Sequence, residues 1–288
     1  MYAQRLEEAV KRTGSIACLG LDPFIELMPP DWKAGILKGR IEREGAKDLV
    51  RAYLEEALEA ARGLCPAVKP QSAFFEALGQ GGTSLMRNLI ATAKAMGFLV
   101  IADVKRGDIG TTAAAYAKAF LPLADAVTVN PYMGIDSVEP FIEEARRNGG
   151  GVYVLVRTSN PSAADFQDLD CSGSPLYMHV AHKVRSWGER LKEGSLSSMG
   201  AVVGATWPEQ GKKLREVMPD SPFLIPGYGA QGGSRAGVEA CRRATGGGLL
   251  VNASRSLLYA WKERQMPDWR EALQQALKEM NADLHGLA

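Results

Sequence analysis

Eight short apolar runs recur along the chain, each about the length of one strand: 15–21, 66–69, 97–103, 125–130, 151–157, 200–206, 222–226 and 248–254. Most lack the in-out alternation of a strand with one wet face. Strands buried on both sides look like this, and such strands belong to parallel sheets covered by helices. Amphipathic segments lie between the runs. Residues 46–62 carry Leu49, Val50, Tyr53, Leu54, Ala57, Leu58 and Ala61 on one helical face, and Gly63 follows. Residues 84–96 repeat the pattern before Gly97. Ser174-Pro175 offers a helix start, Thr206 with Pro208 and Glu209 reads as a capping box, and a last helix is expected from Asp268.

Eight strands separated by helices predict an α/β fold, a closed (β/α)8 TIM barrel, which typically needs about 250 residues. The 288 residues would form one such domain over 1–288. The surplus is a helix before the first strand and two long loops, 22–45 and 158–174. A doubly wound open sheet is the alternative. No composition break marks a boundary.

The composition excludes several classes. With 46% hydrophobic and 23% charged residues and a net charge of +1, nothing suggests a nucleic-acid partner. No apolar run reaches membrane-span length, and the charged start has no signal-peptide core. Cys18, Cys65, Cys171 and Cys241 are scattered with no paired spacing, so neither a disulfide framework nor a zinc site is expected, and a reducing cytoplasm is the simplest location. His179 and His182 stand three apart, but no third metal ligand follows in a recognised spacing, so no metal site is assigned. The tryptophans 187, 207, 261 and 269 read as packing residues.

In a barrel of this kind chemistry gathers at the C-terminal strand ends. Three ends carry charge there: Asp22 after the first run, Lys69 at the end of the second, and Asp103, Lys105 and Asp108 at the end of the third. Strand alternation puts Asp103 and Lys105 on one side. Mixed charge is usually a solvated surface cluster; its repetition at three strand ends favours a functional site. After the last two runs come GYGAQGG (227–233) and ASRS (253–256), the places where such barrels hold phosphate through backbone N–H groups and a helix start. Gln231 could donate an amide, and Arg255 offers a fork matched to phosphate oxygens.

Together these motifs resemble the orotidine 5′-monophosphate decarboxylase family. DVKRGDIGTT (103–112) is similar to its D-x-K-x-x-D-I signature, and PGYGAQGG (226–233) and NASRS (252–256) add to the match. VNPYMG (129–134), RTSNPS (157–162) and VVGATWP (202–208) resemble the longer bacterial-type (type 2) branch. The resemblance runs from the first strand to the eighth. It implies cofactor-free conversion of orotidine 5′-monophosphate to UMP in pyrimidine synthesis. Lys105 would donate a proton to C6 beside Asp103, with Lys69 and Asp22 ordering the charges and contacting ribose. Asp108 and Thr112 would cross a homodimer interface, with Ile109 against the base. Ser159, or the adjacent Thr158, would bond the pyrimidine. Pro226 would wall the base, and Gln231 and Arg255 would hold the phosphate. A sugar-phosphate lyase or aldolase on the same fold, and a non-catalytic nucleotide-binding protein, are the alternatives.

Overall fold

A computed structural model of the protein describes residues 1–41, 45–229 and 232–288. Its strands are β1 (Ala17–Leu21), β2 (Ala67–Pro70), β3 (Leu99–Arg106), β4 (Ala126–Val129), β5 (Gly151–Arg157), β6 (Lys192–Glu193), β7 (Leu196–Ser197), β8 (Met199–Val203), β9 (Phe223–Ile225) and β10 (Leu249–Ala253). Eight of them close into a parallel barrel in the order β1-β10-β9-β8-β5-β4-β3-β2, and β1 pairs with β2 to seal it. The (β/α)8 fold is therefore the one adopted, and the open sheet is not. All eight apolar runs supply a barrel strand. Every residue of β1, β2, β4, β8, β9 and β10 is buried, which is why those runs show no alternation. The two remaining strands, β6 and β7, form a small antiparallel hairpin.

The helix Tyr2–Thr13 packs against the N-terminal ends of the strands. Tyr2 is fully buried and its hydroxyl meets that of Tyr153 at 3.0 Å, while Ala3 N donates to Ser198 Oγ at 3.0 Å. Arg5 pairs with Asp125 at the foot of β4. Lys69 and Asp103 stand toward the opposite, C-terminal ends of β2 and β3.

Three local expectations need correction. Segment 22–45 is not simply a loop: Pro30–Ile41 is helical, with Pro30 at its first position and Asp31 in its first turn. Among its described side chains Ile36 is buried and Trp32 half-buried, with Gly35 and Gly39 interrupting the pattern, so no period was legible; Trp32 packs edge-on against Tyr53 at 5.5 Å. Segment 158–174 likewise contains short helical turns at Pro161–Ala163 and Ala164–Gln167. Thr206 forms no capping box, because Pro208 starts the helix Pro208–Val217 one residue later and Trp207 takes the cap position. The helix after Pro175 spans Leu176–Gly188, and Asp268 caps the last helix by accepting from Arg270 N and Glu271 N.

Candidate active site

β2 and β3 lie side by side, and their ends carry Lys69 and Asp103. The Lys69 ammonium donates to Asp103 Oδ2 at 2.7 Å, and the Lys105 ammonium donates to Oδ1 at 2.5 Å. Two further donors complete the shell. Gln71 Nε2 reaches Oδ2 at 3.0 Å and the Thr128 hydroxyl reaches Oδ1 at 2.9 Å. Each carboxylate oxygen thus accepts two hydrogen bonds, the capacity of an ionised carboxylate. Burial by itself would raise the Asp103 carboxyl; Lys69 and Lys105 outweigh it and hold the group well below the usual carboxylate range. For Lys69, burial acts against the charged form, but the carboxylates of Asp103 and Asp22 push it above an ordinary lysine. Asp103 is therefore a fixed anion, with no lone pair left to act as a base.

The geometry at Lys105 departs from a regular strand. Asp103 and Lys105 do meet on one side, but simple alternation is not the reason. The pairing of β3 with β4 shifts register between Ala102 and Arg106, and Lys105 takes a φ of 42°. That left-handed backbone is strained for a lysine. Thr128 on β4 holds it: its hydroxyl oxygen accepts from Val104 N at 3.0 Å and from Lys105 N at 2.9 Å while donating to Asp103. Neither Thr128 nor Gln71 stood out in the sequence. A threonine in a Val-Thr-Val strand looks like an ordinary β-former. Arg106, next in the signature, faces away from this cluster, pairing with Glu76 at 2.7 Å and lying over Tyr116.

Asp22 follows β1, and one of its buried oxygens, Oδ1, has no hydrogen-bond partner. It lines a pocket of about 220 Å³ with Phe24, Pro226, Tyr228, Asn252 and Arg255. Since the Asp22 carboxylate also acts on Lys69, it links this pocket to the charge cluster. Arg255 opens the short helix Arg255–Leu258, is exposed, and lies 5.9 Å over the Phe24 ring. Gln231 lies outside the described residues.

Ser159 sits two residues past β5, packed on Gly204 at the end of β8. A Cβ on Gly204 would lie 2.8 Å from the Ser159 Cα, so glycine is what lets the two segments meet. Thr158 is occupied otherwise. Its hydroxyl donates to Asn160 at 2.7 Å and accepts from Gln167 at 2.8 Å, and its carbonyl accepts from Trp207 at 3.1 Å. Beneath, the fully buried Arg157 pairs with Asp168 at 3.0 Å and lies 4.4 Å from the Trp207 ring centre. Thr158 is built into the scaffold, which leaves Ser159 as the available hydroxyl.

Asp108 follows β3 and its Oδ1 accepts from Ile109 N at 2.8 Å. Thr112 is on the next helix, Gly110–Phe120. Among the described residues no hydrogen bond or ion pair joins either to Asp103 or Lys105. Large apolar side chains are exposed in the segments that follow β3 and β4: Ile109 is 49% exposed, Tyr132 84% and Met133 50%. His179 Nε2 donates to the Cys171 carbonyl at 2.9 Å, a packing role. Among the described residues no group of three His, Cys, Asp or Glu side chains could hold a metal ion, and no helix is long and apolar enough to cross a membrane.

Comparisons with known proteins identify the family and the fold. The model of the orotidine 5′-phosphate decarboxylase / HUMPS family matches residues 17–266. The orotidine 5′-phosphate decarboxylase of Rhodopirellula baltica is 41% identical, covering 99% of each chain. That of Caldicellulosiruptor bescii is 36% identical over 99% of this chain and 98% of its own. The solved structure of the OMP decarboxylase of Leishmania donovani shares 32% identity with a TM-score of 0.77, covering 98% of each chain.

Proposed function

The chain belongs to the orotidine 5′-phosphate decarboxylase / HUMPS family, and from that premise we infer how its residues convert orotidine 5′-monophosphate to UMP. The enzyme is a carboxy-lyase of pyrimidine biosynthesis, as its full-length relatives are. The observation that carries the residue-level reading is the saturated Asp103 carboxylate with an ammonium on each side.

The substrate phosphate sits at Arg255 and Gln231, with Pro226 against the base and Ser159 donating to the pyrimidine. Asp22 and Lys69 face the ribose. The reacting carboxylate then lies beside Asp103. Two carboxylates side by side repel, and loss of CO₂ relieves that repulsion. The C6–carboxyl bond breaks with its electron pair left on C6. Lys105 stabilises that pair and then donates its proton to C6, ending neutral until solvent restores it. Preorganised charge in a water-poor site is most effective for such a step. Because Asp103 is locked by four donors, it holds its place as an anion and no reorganisation is needed as the bond breaks. Binding of the distant phosphate supplies energy that can be realised in the transition state.

We further propose a homodimer in which Asp108 and Thr112 enter the neighbouring site. In support, Thr112 is exposed, neither it nor Asp108 has a hydrogen bond or ion pair to the Asp103 cluster among the described residues, and the large apolar side chains of Ile109, Tyr132 and Met133 are exposed as well. The four cysteines are free, which fits a reducing cytoplasm.

The sugar-phosphate reading of the same fold loses ground because the relatives matched along their whole length are orotidine 5′-phosphate decarboxylases. The test is direct. Purified protein, treated with EDTA, consumes orotidylate absorbance, and Lys105→Ala abolishes turnover while UMP still binds. Undiminished turnover in that variant rejects the proton-donor role, and a metal requirement rejects the cofactor-free scheme.

A further inference from the structure

Six buried side-chain polar atoms lack a hydrogen-bond partner among the described residues: Asp22 Oδ1, Asn252 Oδ1, Arg106 Nε, Arg157 Nε, Arg215 Nη2 and Trp269 Nε1. The last four are donors scattered through the structure. The first two are the acceptors, and both line the same 220 Å³ pocket. Asn252 is 9% exposed. It lies on β10, in register with Cys18 of β1, between Val251 and Ala253, where every other strand residue is apolar. Nothing in the fold calls for an amide there. A leucine of nearly the same shape would pack without leaving a polar atom unsatisfied, and an unsatisfied buried acceptor destabilises a protein.

The chemistry of the pocket says what the amide faces. Arg255 supplies cationic charge at the pocket, suited to a phosphate. Asp22 leads to Lys69 and hence to the Asp103 cluster where the base reacts. What lies between a phosphate and a base is a sugar, and the donors a sugar brings are its hydroxyl groups. Asp22 Oδ1 and Asn252 Oδ1 are two acceptors awaiting such donors. The Asn252 amide also has an N–H₂ end that bonds to no other described residue, so it can answer the same hydroxyl as donor.

We propose that Asn252 is a further substrate-binding residue, which takes a hydrogen bond from a ribose hydroxyl opposite Asp22. The proposal rests on the nucleotide reading given above and adds to it a residue that selects for the ribo sugar. It differs from a packing role in one respect: the loss on mutation should depend on whether the ligand carries the hydroxyl.

Titration calorimetry of wild type and Asn252→Leu with UMP, 2′-deoxyUMP and 3′-deoxyUMP tests it. For UMP, Asn252→Leu should weaken binding about tenfold, one good hydrogen bond's worth. For one of the two deoxynucleotides the variant and wild type should bind alike, because the partner hydroxyl is already gone. The thermal midpoint should stay level or rise, since a buried polar group has been removed. Equal losses for all three ligands, or no loss for UMP, overturn the assignment while leaving the decarboxylase reading intact. Failure of the wild type to bind UMP overturns both. If Asn252→Leu does not fold, Asn252→Ala answers the same question, because the comparison is between ligands on one variant.

Discussion

Thr128 is where the fold and the chemistry of this enzyme are most tightly joined, and Thr128→Val isolates that joint. The substitution keeps the shape of the side chain and removes one hydroxyl. Three hydrogen bonds go with it: the one donated to the ionised Asp103 and those accepted from Val104 N and Lys105 N. A hydrogen bond to a charged group contributes about 1.5–3 kcal/mol, and a buried N–H left without a partner costs about 1–3 kcal/mol. Val104 is buried; Lys105 is exposed and its N–H can be met by water. The sum is about 3–5 kcal/mol, which for a chain of this size lowers Tm by roughly 5–15 °C. The catalytic effect follows from the backbone. Lys105 sits at φ 42°, a conformation held against a strain of about 1–3 kcal/mol. Without the clamp it relaxes toward the strand region and its ammonium moves. A displacement of about 1 Å at a reacting group can cost about a hundredfold in rate. Orotidylate decarboxylation followed by absorbance should therefore show kcat down by about a hundredfold. UMP affinity should change by less than about threefold, because no group assigned to ligand binding has been removed. Thr128→Ser restores the hydroxyl and should recover most of the rate. Wild-type turnover in Thr128→Val, or a serine variant as slow as the valine one, refutes the clamp.

Three further outcomes follow from the site. Mixing Lys105→Ala with Asp108→Ala, each inactive alone, should restore activity to about a quarter of the wild-type sites if the dimer shares residues, since random re-pairing makes half the dimers hybrid and one site of each whole; no recovery after verified exchange argues that Asp108 serves its own chain. Asp103→Asn strands the buried Lys69 ammonium and should destabilise the protein by about 3–5 kcal/mol, measured by urea unfolding at neutral pH. The pH profile of that loss is set by the direction of each shift. Asp103 is depressed, so its contribution is present above the unfolded value of about 3.9 and fades as pH falls toward the folded one. Lys69 is raised, so its contribution is complete below about 10.4 and fades only as pH rises through its higher folded value. The stability difference between wild type and a Lys69→Met/Asp103→Leu double variant, which leaves neither charge behind, should therefore be flat from about pH 5 to pH 9, and a slope there would mean that the pair is not ionised as described. Arg255→Ala should lower kcat/KM for orotidylate by about a hundredfold or more and leave the slow turnover of phosphate-free orotidine unchanged, which steady-state kinetics with both substrates would show.

How far the sequence disclosed all this depends on what each residue does physically. The barrel was legible because its strands are buried on both faces, and double burial leaves a run of apolar residues that no helix period explains. The helix Pro30–Ile41 was not, because Gly35 and Gly39 break its pattern and the inward side chains described, Trp32 and Ile36, are two points from which no period can be read. Within the site, Asp103, Lys105 and Lys69 announced themselves because charge at a strand end is chemically conspicuous. Their supports did not. Gln71, Thr128 and Asn252 are uncharged, and each is an unremarked letter in a strand or at its edge until its polar atom is seen to hold something or to lack a partner. The same limit kept Thr158 and Ser159 apart only in space: the two hydroxyls are adjacent in the chain, and what separates them is that Gln167 and Asn160 have already engaged that of Thr158, whose carbonyl also holds Trp207.

Lys105 shows the limit most clearly. Alternation along β3 predicts that it shares a side with Asp103, and it does, yet the register shift and the left-handed backbone mean that alternation is not what brings them together. A regular strand would fix the direction of both side chains but would give β4 no reason to present a hydroxyl to the backbone of β3. The bulge exposes two successive N–H groups, Val104 and Lys105, which a single threonine oxygen gathers while its proton goes to the carboxylate. The position of the ammonium is thereby tied to the position of the anion through one shared atom. That coupling is a better account of how a flexible lysine is kept in place for the proton transfer proposed for it than the strand direction alone, and it puts the precision of the site in the β3–β4 pairing.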